Sequence, residues 1–208
     1  MAKLKSDEIP IAGKKTPRDW HVFRESLVVS EDTNIWKDAF EEYFLTRLSL
    51  RYVNPIRILD EAGHHKGEGF AILTIICSLI EFLESTIQGT NYRFERAEGK
   101  YEYSSSKGLF IYFLCNRYPF SREFDSDLAM RFYEGVRCGL LHEARLKDGW
   151  SLAANGPADV LVNREELVIY RINFQIALEK FIRWYGLALR SDKAMQKAFI
   201  RKFDKLCE

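Results

Sequence analysis

Residues 131–145, RFYEGVRCGLLHEAR, decide how this chain is read. Leu128, Phe132, Val136, Gly139 and Leu140 recur at three- and four-residue steps, which predicts a helix from about Ser121 or Ser126 to Ala144 with an apolar stripe. Gly135 and Gly139 remove side chains from one ridge, which would let another helix come close, within the domain or across a dimer interface. Arg137 and His142, with four residues between them, are the candidates for chemistry. One is a permanent planar cation and the other is the side chain most easily switched near neutral pH. Beside a phosphodiester, such a pair can stabilise an anionic oxygen and move a proton. At about 100° per residue they lie about 140° apart around an ideal helix. They meet only if the helix ends or tightens near His142, if Arg137 reaches round, or if the partner comes from a second subunit. Each also has a structural reading: His142 as a helix C-terminal histidine favoured by the dipole, Arg137 as half of an intramolecular salt bridge.

Upstream, residues 69–84, GFAILTIICSLIEFLE, open a helix that runs to about Gln88 and is apolar nearly all round, so it should be central. Glu81 and Glu84 break that surface three residues apart, which aligns them on one face. Either they mark where the helix emerges into solvent, or one of them meets Arg137 and holds its guanidinium.

The Arg-x4-His spacing on an apolar helix, placed after another apolar helix that carries acidic residues, resembles the HEPN superfamily. In layout the resemblance covers roughly residues 65–190. It implies an all-α HEPN-like helical bundle, and many such domains are metal-independent ribonucleases of toxin–antitoxin, CRISPR-associated and phage-defence systems. It implies Arg137 and His142 as catalytic residues and favours Glu81 or Glu84 as the carboxylate that holds Arg137; Glu81, Glu84 and Cys138, the residue after the arginine, are the expected supporting positions. RNA is the implied substrate, no metal or cofactor is called for, and a homodimer sets two motifs in one cleft. An antitoxin or defence-system protein is a further implied partner. Active members often carry Asn, Asp or His directly after the Arg, where this chain has Cys138. That departure favours the alternative of a non-catalytic HEPN-like module binding RNA, a nucleotide or a protein.

The rest of the sequence sets bounds. A chain of 208 residues, 47% hydrophobic and 14% aromatic, can bury a sizeable core and is not disordered. With 31 basic against 30 acidic residues the net charge is +1, so any RNA site must be a local patch. Cys77, Cys115, Cys138 and Cys207 show neither a Cys-x-x-Cys pair nor zinc-ligand spacing. Without a signal peptide, a cytoplasmic setting is expected. The apolar run from Phe70 to Ile80 is too short for a bilayer, which needs about 20 residues, and reads as core.

In chain order, residues 1–30 are expected as an N-terminal arm, with a β-like run over Ser26-Leu-Val-Val-Ser30. Residues 31–208 are expected as a single helical domain. From Thr33, Ile35, Ala39, Phe40, Tyr43, Phe44 and Leu48 predict a helix packed by its aromatic stripe and finished before Pro55. His64 and His65, in the glycine-rich loop 60–69, read as solvated or as metal or substrate contacts. Residues 91–106 interleave Arg93, Arg96 and Lys100 with Tyr92, Phe94, Tyr101 and Tyr103. That pattern suits single-stranded RNA, but Glu95, Glu98 and Glu102 dilute it, and a solvated mobile loop is the stronger reading. Residues 108–117 read as a short apolar helix by context, ended by Pro119, although the run Leu109 to Leu114 fits a buried strand equally well by periodicity. A small β-hairpin or meander insertion is expected at about 150–170, then a helix from Asn173 to about Leu189. A last helix, Asp192 to Leu206, should pack Met195, Phe199, Phe203 and Leu206; its basic residues Lys193, Lys197, Arg201, Lys202 and Lys205 could bind RNA or a partner, but a solvated basic face is the stronger reading.

Overall fold

Why a chain so rich in aromatic residues folds as it does is clearest from where its rings meet. The computed structural model describes residues 6–29, 32–62 and 67–208; His64, His65 and the end of the expected β-like run at Ser30 lie outside them. The fold is mostly helical with small sheets. It divides into two compact units, one taking the chain up to Pro55 with Ser85–Ser104 and Trp184–Glu208, the other Ile56–Glu84 with Ser105–Arg183.

In the first unit, residues 17–29 are not an irregular arm. Pro17–Val29 is an α-helix, so the expected strand over Ser26–Ser30 is corrected: its described part is the helix's last turn. The Thr16 amide donates to Asp19 Oδ2 at 2.7 Å, the Asp19 amide faces Thr16 Oγ1 at 3.4 Å, and Pro17 takes the first helical position, where its missing N–H costs nothing. Trp20 is fully buried. Its ring lies 5.2 Å from those of Tyr43 and Phe203, and its Nε1–H donates to Asp204 Oδ1 at 2.8 Å. Arg24 grips the same carboxylate at 2.8 and 2.9 Å.

Tyr43 belongs to the expected aromatic stripe, and Phe40, Tyr43, Phe44 and Leu48 are all buried. Their helical stretch alternates α segments with wider i→i+5 turns at Ala39–Leu45 and Ser49–Val53. Pro55 does not end it. Asn54–Glu61 continues as α-helix, the proline following directly on a wide turn, a place where its missing donor interrupts a ladder that is already altered. In the last helix, Lys193–Leu206, Phe199 and Phe203 stack at 4.5 Å. Lys202 leaves the expected solvated basic face: it is buried and donates to Ser85 Oγ and the Thr90 carbonyl, both at 2.9 Å.

The loop after Gln88 is more tightly held than a mobile connection. Strands Asn91–Tyr92 and Glu102–Tyr103 pair in parallel, and Arg201 lies 3.9 Å over the Tyr101 ring. The Glu102 carboxylate accepts from the Glu98 and Gly99 amides at 3.1 and 2.9 Å and from Arg93 at 3.1 Å.

The second unit carries the motif. Its central helix, Glu68–Gln88 (residues 68–84 in this unit), buries Ile72, Leu73, Ile76, Cys77, Leu79, Ile80 and Leu83. By length and composition it could cross a membrane, longer than the apolar run alone, but 61% of its most apolar window is buried within the protein. Around it, the helix Lys107–Asn116 contributes Phe113, whose ring meets Phe120 at 5.0 Å and Phe181 at 4.9 Å. Phe174 then links Phe120 at 5.2 Å to Phe132 at 5.7 Å, and Phe132 meets Trp150 at 5.3 Å. This chain of edge and offset contacts ties the motif helix to the helix Arg171–Leu189 and to the sheet.

That sheet, Ser151–Ala153, Val162–Asn163 and Val168–Tyr170, is not a meander. Only the last two strands form a hairpin; the first pairs in parallel with the third, giving the order first, third, second. The Glu123 carboxylate closes the second strand's start by accepting from the Leu161 and Val162 amides at 2.9 and 3.1 Å.

Candidate active site

The motif helix begins at Ser126, where Asp125 accepts from the Leu128 amide at 2.9 Å and satisfies one of the first-turn donors. It runs as α-helix to Phe132, widens to the i→i+5 register over Tyr133–Cys138, and returns to α-helix over Gly139–Glu143. Single wide turns of this kind inside α-helices are frequent at functional sites. Arg137 sits in the wide turn. Ala144, left-handed at φ 53°, stops the helix two residues after His142.

The glycine ridge has a different use from the expected one. It receives the chain's own return, not another helix. A Cβ on Gly135 would stand 2.6 Å from Trp150 Cδ1, and one on Gly139 would stand 2.5 Å from the Arg145 carbonyl oxygen. The Arg145 amide donates to the Gly139 carbonyl at 3.2 Å, Lys147 to Gly135 at 2.9 Å, and Trp150 Nε1–H to Arg131 at 3.2 Å. Glu143 binds Arg145 and Lys147 at 2.8 and 2.6 Å, and Lys147, then Arg145, hold its carboxyl below the usual range. The corner behind His142 is therefore fastened on both sides.

Arg137 points back toward the central helix. Its guanidinium lies 3.5 Å from Glu81 and 5.4 Å over the ring of Tyr133, one turn earlier, whose hydroxyl is 3.2 Å from Ser106 Oγ. With 18% of its side chain exposed, the cation is sheltered but reachable. Its field extends to Cys77, whose thiol is pushed up to about 12 by burial, with Arg137 opposing that rise and Cys138 adding to it. Cys138 itself is half-buried.

The two acidic residues part company. Glu84 does not meet Arg137: fully buried, it takes Arg117 in a two-pronged pair, Nε to Oε2 and Nη2 to Oε1, both at 2.8 Å. Burial pulls the Arg117 guanidinium down, and Glu84 outweighs it, so the net shift is upward. Glu84 thus anchors the chain just beyond the helix Lys107–Asn116, while Glu81 is left for Arg137.

His142 is exposed and has no hydrogen-bond or ion-pair partner among the described residues. Four of the five steps from Arg137 to His142 are ordinary α-helical ones, so the wide turn does little to close the angle of about 140° between them. Within one chain, a sheltered cation faces Glu81 and Tyr133 while a free imidazole faces solvent at the helix end. Sequence reasoning missed Tyr133 and Arg117. Tyr133 had a readable signal, since it lies four residues before Arg137 and so on the same face; Arg117 had none. Comparison with family models, with curated proteins and with solved structures finds no match.

Proposed function

We propose that the chain is a HEPN-like endoribonuclease that cleaves RNA without metal, working as a homodimer in a toxin–antitoxin or phage-defence setting. The observation that supports this most is the division of labour on one helix: Arg137 held by Glu81 and Tyr133 and partly open to solvent, and His142 unpartnered at a fastened helix end. The ribose 2′-hydroxyl attacks the neighbouring phosphate, His142 carries the proton, and Arg137 stabilises charge on the phosphoryl oxygens. The substrate brings its own nucleophile, so DNA is left intact. Because Arg137 and His142 of one chain look in different directions, a cleft shared by two chains is the arrangement in which an arginine and a histidine serve one phosphate.

The second reading, a non-catalytic HEPN-like module for RNA, a nucleotide or a protein such as an antitoxin, draws on Cys138 and on the engagement of Arg137 by Glu81, which has structural value without any reaction. Incubation with mixed-sequence RNA in EDTA separates the two. The nuclease yields 5′-hydroxyl and 2′,3′-cyclic phosphate ends, lost in folded His142→Ala and Arg137→Ala proteins. Intact RNA with retained binding supports the module.

A further inference from the structure

Just past the corner that ends the motif helix, the second unit has a cavity of about 530 Å³ whose lining includes Glu68, Phe70, Arg145, Trp150, Leu152 and Arg171. Three features distinguish it from a packing defect. Arg171 is buried, with 7% exposure, and Asp60 is the partner of its guanidinium among the described residues, which leaves donors of this five-donor group unused. Glu68, at the start of the central helix, has a buried Oε2 without a hydrogen-bond partner. Gly69, also in the lining, lets the helix start come close to both walls: a Cβ there would stand 2.9 Å from Leu152 Cδ2 and 3.8 Å from Arg171 Nε. Burying a guanidinium and a carboxylate oxygen without full pairing is costly, and the cost is recovered when a ligand supplies the missing partners.

A donor-rich guanidinium, its Nε 3.8 Å from where a Cβ on Gly69 would stand, and the acceptor-only carboxylate of the residue just before that glycine complement a particular edge. Guanine offers an acceptor, O6, followed by two donors, N1–H and the N2 amino group. Adenine and cytosine present a donor where guanine has O6. Uracil ends its edge on an acceptor that a carboxylate repels. Phe70, 42% exposed, supplies an apolar face for stacking. We propose that this cavity is a guanine-reading subsite, with Arg171 donating to O6, Glu68 accepting from N1–H and N2–H, and Phe70 stacking on the ring. Its role rests on the RNA reading above. Ala144, Arg145 and Leu146, which also line the cavity, directly follow the helix end that carries His142, so the base held here belongs to a nucleotide near the scissile phosphate.

Calorimetric titration with the four 5′-mononucleotides tests this without any cleavage. The parent and His142→Ala proteins are expected to bind GMP about tenfold or more tightly than AMP, CMP or UMP, the discrimination of one good two-pronged base contact. Glu68→Gln, with an unchanged circular dichroism spectrum, should lose that preference, and Arg171→Lys should weaken GMP more than AMP. Binding of GMP no tighter than the others, no nucleotide binding at all, or a preference untouched by Glu68→Gln overturns the subsite. The two proposals fail separately: GMP binding by a protein that leaves RNA intact keeps the subsite and removes the nuclease, while cleavage without guanine preference does the reverse.

Discussion

The two carboxylates three residues apart on the central helix are expected to differ sharply when their partners are removed. Glu84 is fully buried and bound by Arg117 through two 2.8 Å contacts, with 17% of the arginine side chain exposed. Arg117→Ala leaves a carboxylate in the interior with nothing to balance it, a loss of about 3–5 kcal/mol. For a chain of this length each kcal/mol lowers Tm by about 2–4 °C, so the variant should melt about 6–20 °C earlier. Glu81 and Arg137 are 3.5 Å apart and retain 23% and 18% side-chain exposure. Glu81→Ala should therefore cost only about 1 kcal/mol, since water can replace what is lost. A third protein completes the argument: Glu84→Leu with Arg117→Met removes both charges and should recover most of the loss, because a well-packed apolar pair matches a buried ion pair. Urea titrations followed by circular dichroism and tryptophan fluorescence measure all three. If Arg117→Ala proves no worse than Glu81→Ala, or the double replacement no better than Arg117→Ala, the account of Glu84 as a structural anchor is refuted.

Other expectations concern the corner, the loop and the buried lysine. Gly139→Ala places a methyl 2.5 Å from the Arg145 carbonyl oxygen, which is backbone and cannot swing aside; it should cost about 1–3 kcal/mol and reduce whatever activity His142 supports, measured by denaturation and RNA cleavage in parallel. The amide bonds from Gly99 and Glu98, then Arg93, hold Glu102 at about 2, well below its ordinary value of 4.5. Because the folded value is depressed, its contribution is complete above about pH 4.5 and is lost as pH falls through about 2. The Glu98 and Gly99 amide resonances should shift with that late midpoint, and a midpoint near 4.5 would count against the loop geometry. Lys202→Met strips the donor from Ser85 Oγ and the Thr90 carbonyl and should destabilise by about 1–3 kcal/mol, with faster amide exchange over 89–92 as the local sign.

Much of the helical core was legible because its apolar residues keep a strict period: Phe40, Tyr43, Phe44 and Leu48 on one helix, Ile72, Ile76, Leu79 and Leu83 on the next. The Pro17–Val29 helix is hidden in the sequence because Leu27, Val28 and Val29 look like a strand, although Thr16, Pro17 and Asp19 spell a helix start four residues wide. Lys202 was assigned to solvent on its chemical type; only tertiary structure supplies the carbonyl and hydroxyl that let an ammonium be buried. The parallel pairing of Ser151–Ala153 with Val168–Tyr170 leaves no trace in alternation, which is the same for both directions. At the site, the residue types and the helix were readable. The sorting of Glu81 to Arg137 and Glu84 to Arg117 was not, because both carboxylates share a helix face and only the position of Arg117 beyond its helix decides between them.

The return of the chain along the glycine ridge bears on the order in which the molecule assembles. The bonds that fasten the corner reach back only from Arg145 to Gly139, from Lys147 to Gly135 and from Trp150 to Arg131. Loops this short close at little entropic cost and on fast timescales, whereas the Glu81–Arg137 contact has to wait for a closure more than twice as long. The end that carries His142 is thus a local unit, able to form before Arg137 finds its carboxylate.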